Sequence, residues 1–172
     1  MQDTLPIHFA PLQGYTEAIY RNAHDAFFGG VDTYYTPFVR LEKGNFRRRD
    51  VRGIEPENNG VTHLIPQLIA SSAEKAEVIL SLFIEKGYQE VDINLGCPFP
   101  LLAKRHNGSG ILPYPEEVKA LLSIVTRYPQ ISFSVKMRLG WEQPDECLAL
   151  APILNDLPPV SYTHLTLPTN RE

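Results

Sequence analysis

The residues best able to do chemistry in this chain are grouped around Glu90-Val-Asp-Ile-Asn-Leu-Gly-Cys-Pro98. Val91, Ile93 and Leu95 alternate with Asp92 and Asn94, the period of a β-strand. Gly96 ends that strand and Cys97-Pro98 opens a loop, so a thiol reaches a strand tip with a carboxamide three residues before it. An ordinary thiol is mostly protonated near neutrality, so Cys97 could donate a proton or, as thiolate, attack a carbon. A small buried hydrophobe is the competing reading, and position alone leaves both open.

Other polar residues end or interrupt apolar runs. Asn94 offers a donor and an acceptor, which suits a planar amide-like ring or an Asx turn at the strand exit. Gln67 breaks the run Leu-Ile-Pro-Gln-Leu-Ile and could meet a cofactor ring or be a satisfied core amide. Lys136 sits in Ser-Phe-Ser-Val-Lys-Met-Arg, where a cation could neutralise an anionic cofactor or lie solvated at an edge. Lys104-Arg105-His-Asn-Gly108-Ser-Gly110 reads as a flexible basic loop, a lid, a phosphate holder or a solvated turn. Arg40, Lys43, Arg47, Arg48, Arg49 and Arg52 form a basic cluster, either a solvated face or a contact for nucleic-acid backbone. Cys147 falls in a helical segment and reads as packing.

These residues need strands to position them. Ile7–Leu12, Thr33–Val39, His63–Ala70, Glu90–Leu95 and Ile131–Leu139 are the strand candidates. Helices are expected over Glu17–Phe28, Ala73–Lys86, Pro115–Tyr128 and Pro144–Leu154, with Leu41–Gly60 as a long polar loop. Strands alternating with helices imply parallel strands joined by helical crossovers, an α/β fold. A doubly wound sheet and a (β/α)8 barrel both satisfy that pattern. Gln13, Gln67, Asn94, Cys97, Lys136 and Arg138 all fall at C-terminal strand ends, which a barrel gathers at one mouth. No Gly-x-Gly-x-x-Gly follows the first strand, which disfavours a dinucleotide-binding sheet.

The 172 residues suffice for one domain with a substantial core. No apolar run is long enough to span a membrane, and the first residues lack the pattern of a secretory signal. Two cysteines fifty residues apart argue against a disulfide framework and a paired metal motif, so no metal and a reducing cytoplasm are expected. The net charge of −4 does not advertise a nucleic-acid binder, although a local basic stripe can suffice.

Val160-Ser-Tyr-Thr-His-Leu-Thr-Leu-Pro-Thr169 is similar to the translation of a transposon-end adapter used in sequencing libraries. Residues 160–172 are therefore expected to be non-native and are set aside, leaving 1–159 as the natural segment and a C-terminal part missing.

Taken together, three motifs resemble the tRNA-dihydrouridine synthase family. Ala10-Pro11-Leu12 resembles its Ala-Pro-Met flavin motif, with Leu for Met. Asp92-x-Asn94-x-Gly96-Cys97-Pro98 followed by Gly108-x-Gly110 resembles its central signature, and Val135-Lys136-Met-Arg138-Leu-Gly140 its Val-Lys-x-Arg-x-Gly strand. The resemblance implies an FMN-binding (β/α)8 TIM barrel, with about five of its eight βα units in residues 1–159. It implies reduction of uridine to 5,6-dihydrouridine in tRNA, with NADPH as reductant, hydride passing to C6 and a proton from Cys97 to C5. Gln67 and Lys136 would contact flavin, with Pro11 and Leu12 along it through their backbone. Asn94, Arg138, Lys104 and Arg105 would contact substrate. Gln13-Gly-Tyr-Thr-Glu17 replaces the family's Asp-containing turn. The family's flavin-contacting histidine, glycine-rich phosphate strands and helical RNA-binding domain would follow Pro159, so the chain alone is expected to be inactive. The alternatives are another FMN barrel reducing a small pyrimidine or enone, and a non-catalytic RNA-binding module.

Overall fold

The computed structural model describes residues 5–158 and the backbone of Ser161 and Tyr162. Every strand expected from the sequence is present, mostly shorter. β1 (His8–Phe9) precedes α1 (Ala18–Phe27), and β2 (Thr33–Tyr35) follows. The segment expected as a loop is built instead from an antiparallel hairpin, β3 (Leu41–Glu42) and β4 (Asn45–Phe46), and a helix, α2 (Arg48–Ile54). The hairpin turns through Lys43 and Gly44, both at positive φ, a tight turn whose signal is masked by the surrounding charges. The arginine run that suggested a loop begins α2, whose Asp50, Gly53 and Ile54 are buried.

The third expected strand is split by Pro66 into β5 (Leu64–Ile65) and β6 (Gln67–Leu68). Tyr35 pairs with Ile65 and Val39 with Leu68, so residues 36–38 stand opposite 66–67, a bulge of one residue. Proline has no N–H for the ladder, and here the Thr36 hydroxyl accepts the Gln67 N–H at 3.0 Å. α3 (Ala73–Glu85), β7 (Glu90–Leu95), α4 (Pro100–Ala103), α5 (Pro115–Arg127), β8 (Ser132–Met137) and α6 (Glu146–Asn155) complete the expected alternation. Ser72 caps α3, and Pro115 with Glu116 and Glu117 opens α5, as their types favour.

The parallel strands lie side by side in chain order, β1-β2-β5 and then β6-β7-β8 followed by β9 (Ser161–Tyr162), with the Val39–Leu68 bridge joining the two runs. A doubly wound sheet reverses at a switch point, and none occurs among the described residues. β9 (Ser161–Tyr162), inside the segment set aside as non-native, pairs in parallel with β8.

Val91, Ile93 and Leu95 pack outward against Ala76, Ile79, Leu80 and Phe83 of α3 and Val118, Leu121 and Leu122 of α5, the main core. Alternation then sends Asp92 and Asn94 to the opposite, inner face. No helix among the described residues is long and apolar enough to cross a membrane.

Candidate functional site

The inner face becomes a site because strand register stacks polar residues in levels. Asp92 of β7 is in register with Gln67 of β6 and Ser134 of β8, and Asn94 with Lys136 one step nearer the C-terminal ends. At those ends a cleft of about 200 Å³ is lined by Pro11, Leu12, Gln13, Pro37, Phe38, Gln67, Asn94, Gly96, Cys97, Pro98, Lys136 and Arg138. Seven residues predicted for the site are thus brought together: Pro11, Leu12, Gln67, Asn94, Cys97, Lys136 and Arg138. Lys136 and Arg138 make no ion pair among the described residues.

Lys104 and Arg105 are not brought there. They follow α4 on the exposed surface and do not line the cleft. The loop expected to be flexible is instead packed: residues 108–111 form a buried 3-10 turn. A Cβ at Gly108, where φ is +61°, would stand 2.6 Å from the Cys97 carbonyl oxygen, and one at Gly110 would collide with the Ala103 carbonyl. The two glycines allow close backbone approach behind Cys97, which accounts for them without a phosphate.

The polar groups of the cleft form a directed chain of hydrogen bonds. The Gly96 and Cys97 amides donate to Asn94 Oδ1 at 3.0 and 2.9 Å. Asn94 Nδ2 donates to Gln67 Oε1 at 2.7 Å, and Gln67 Nε2 donates to Asp92 Oδ2 at 2.5 Å. Ser134 Oγ donates to Asp92 Oδ1 at 2.6 Å. Backbone N–H groups can only donate, so the first link fixes which end of each carboxamide points where. Both open readings of Asn94 can hold at once: it makes the Asx turn and lines the cleft with one N–H unpaired among the described residues. Gln67 retains one N–H and one lone pair.

Asp92 is fully buried, and burial pushes its carboxyl up to about 6 against the opposing pull of the Ser134 and Gln67 hydrogen bonds and the Lys136 charge. Cys97 is half-buried against Phe38, Ile69 and Leu102, and its carbonyl accepts from the Ser109 amide at 3.0 Å and hydroxyl at 2.9 Å. Its backbone is held on both sides while its side chain lines the cleft.

Sequence reasoning assigned no site role to Asp92 or Ser134, and set Gln13 at the mouth without giving it a contact. For Asp92 the available signal was a carboxylate inside a six-residue strand of otherwise buried character. Gln13 lines the cleft with both amide atoms buried and without a partner among the described residues, which a free protein leaves only at some cost. No group of three or more His, Cys, Asp or Glu that could hold a metal ion occurs among the described residues.

The chain is similar to named proteins over much of its length. It is 29% identical over 139 residues to "Probable tRNA-dihydrouridine synthase 1" of Synechocystis sp., a match covering 77% of this chain and 37% of that protein. It is 30% identical over 91 residues to "tRNA-dihydrouridine synthase B" of Klebsiella pneumoniae, covering 52% and 28% respectively. It is 28% identical over 155 residues to "tRNA-dihydrouridine(16) synthase" of Haemophilus ducreyi, covering 84% and 47%. The matches thus span less than half the length of each of these relatives. The family model described as "Dihydrouridine synthase (Dus)" matches residues 8–157, which take in the whole cleft and the hydrogen-bonded chain beneath it. The chain belongs to the dihydrouridine synthase family.

Proposed function

We propose that this chain forms part of the catalytic wall of an FMN-dependent tRNA-dihydrouridine synthase, which reduces uridine in tRNA to 5,6-dihydrouridine. The observation that carries the reading is the meeting of Cys97, Gln67, Asn94 and Lys136 in one cleft of a chain from this family. Strand order without a switch point supports residues 1–159 as an arc of a (β/α)8 barrel, and 160–172 remain proposed as non-native.

The cleft's donors suit the edge of a flavin ring, which carries carbonyl and imide groups. Gln67 has a spare N–H and lone pair, the Gln13 amide has no partner, and Lys136 and Arg138 supply positive charge. Pro11 and Leu12 complete that wall. Bound FMN, reduced by NADPH, would supply the hydride for C6 of the uracil.

Saturating the C5–C6 bond also requires a proton on C5, and Cys97 is the acid of the cleft. Its carbonyl and amide are both anchored, so the thiol is presented from a fixed turn. Asn94 offers the pyrimidine one N–H rather than a two-point contact, since its oxygen is already committed. Arg138 lies beside it as a further substrate contact. The target uridine must leave its stack to enter. Lys104 and Arg105, exposed beyond the cleft, are proposed to meet tRNA outside it. A thiol that works as an acid must stay reduced, and the proposed location is the cytoplasm. At about 200 Å³ the cleft is smaller than the roughly 300–1,000 Å³ of a site that encloses a whole ligand, so the chain alone is expected to hold flavin weakly and not turn over.

Cys97→Ala tests the assignment in an otherwise full-length enzyme carrying this segment. Uridine reduction should fall by at least about 100-fold, on the scale of lost acid catalysis, while flavin absorbance is kept. Unchanged reduction would remove Cys97 from the mechanism, and unchanged tRNA binding with no turnover in the parent would favour an RNA-binding module.

A further inference from the structure

Asp92 touches neither the surface nor the cleft, yet it receives the end of the hydrogen-bond chain that begins at the Cys97 backbone. Each link has one direction. The Gly96 and Cys97 amides commit Asn94 Oδ1 as acceptor, and Asn94 Nδ2 therefore donates to Gln67 Oε1. Gln67 must then present Nε2 to its other neighbour, which has to offer an acceptor there. Asp92 Oδ2 meets that need, while Oδ1 takes the Ser134 hydroxyl. The three side chains lie on adjacent strands at one level, so pairing of β6, β7 and β8 sets the distances. A carboxyl group in this fully buried place is a costly choice for packing alone, since burying its charge removes its hydration.

We propose that Asp92 is the positioning residue of the cleft: as terminal acceptor it locks the amides of Gln67 and Asn94, and through Asn94 it fixes the Gly96–Cys97 turn that presents the thiol. The consequence for catalysis rests on Cys97 being the proton donor; the positioning itself does not. Gln67 and Asn94 cannot reverse while Asp92 accepts, because reversal would set Gln67 Oε1 against the carboxylate and Asn94 Oδ1 away from the two backbone amides. Substitutions separate this role from simple packing. Asp92→Asn can still offer Oδ1 to Gln67 and turn its Nδ2 toward the Ser134 oxygen, so the chain survives. Asp92→Leu keeps a similar shape and removes the acceptor. Gln67→Glu sets two carboxylates against each other, whereas the double variant Gln67→Glu/Asp92→Asn restores an unbroken chain with the acceptor moved one rung.

Amide hydrogen exchange of the full chain, read without tRNA or flavin, is the test. Gly96 and Cys97 amides should exchange at least about tenfold faster in Asp92→Leu, with the β7 amides within about threefold of the parent, a loss of roughly 1.4 kcal/mol confined to the turn. They should stay within about threefold in Asp92→Asn. Equal acceleration along all of β7, or none, overturns the proposal. If Asp92→Leu does not fold, the comparison passes to the second pair. Gln67→Glu should loosen the turn and the double variant restore it, and failure of that restoration overturns the proposal. Uridine reduction is measured separately, so a parent that fails to reduce tRNA would sink the proposed function and leave this result standing.

Discussion

At the scale of single residues, the cleft is governed by groups whose burial costs stability. Asp92 has its carboxyl raised from the unfolded value near 3.8 to about 6 by desolvation. An acid whose folded pKa is raised binds more protons in the folded state between those values. Its contribution is thus most favourable below about pH 3.8 and is lost as pH rises through about 6. Asp92→Asn is expected to stabilise the fold by about 1–3 kcal/mol at pH 7.5, with the gain vanishing near pH 4. Thermal unfolding at the two pH values measures it, and a gain independent of pH would contradict the cause. Gln13 is a milder case, since both its amide atoms are buried and unpartnered. Gln13→Leu should raise the stability of the ligand-free chain by about 1 kcal/mol and lower flavin affinity about tenfold in the flavin-loaded enzyme. A titration followed by flavin fluorescence reads the second effect, and unchanged affinity would take Gln13 out of the site.

At the scale of elements, the turn after β7 is held from two sides. Asn94 binds its N–H groups, and the 3-10 turn at Gly108–Ile111 binds the Cys97 carbonyl through Ser109. Gly108 sits at φ +61° with no room for a Cβ against Cys97. Gly108→Ala should cost about 2–4 kcal/mol by chemical denaturation, from left-handed strain plus the collision. A cost below about 0.5 kcal/mol would show that the turn gives way easily. The hairpin and α2 supply the other notable element. Arg47 and Arg40 approach Glu42 at 3.8 and 3.9 Å, and Arg49 approaches Glu17 at 3.5 Å. Lys43, Arg48 and Arg52 are exposed and make no ion pair among the described residues.

At the scale of the whole molecule, a net charge of −4 coexists with that local basic surface. Nucleic-acid affinity depends on local phosphate neutralisation rather than on net charge. The double change Arg48→Glu/Arg52→Glu should weaken tRNA binding about tenfold or more and flatten its salt dependence by about one to two units of slope. Filter binding at several salt concentrations tests this, and an unchanged slope would return the surface to a solvated face. Apolar side chains are exposed on the neighbouring helix: Ile19, Phe27 and Phe28 on or beside α1 are more than 80% exposed, and β1 has one strand neighbour among the described residues.

Local rules in the sequence set the alternation of strands and helices, the span of β7, and the motif from Asp92 to Pro98. Those rules are period-two alternation in Val91 to Leu95, the cap at Ser72, and proline at the start of α5. Sequence reasoning misjudged 41–60, where dense charge hides a hairpin and a helix whose buried side is only a few residues wide. It also took Gly108 and Gly110 for loop flexibility, when close backbone approach is what needs them. That seven predicted residues share a cleft, that Lys104 and Arg105 lie outside it, and that Asp92 underlies it emerges from the folded arrangement of the strands. The physical reason is register: Gln67, Asp92 and Ser134 are separated by 25 and 42 residues in the chain, and parallel pairing alone brings them to one level.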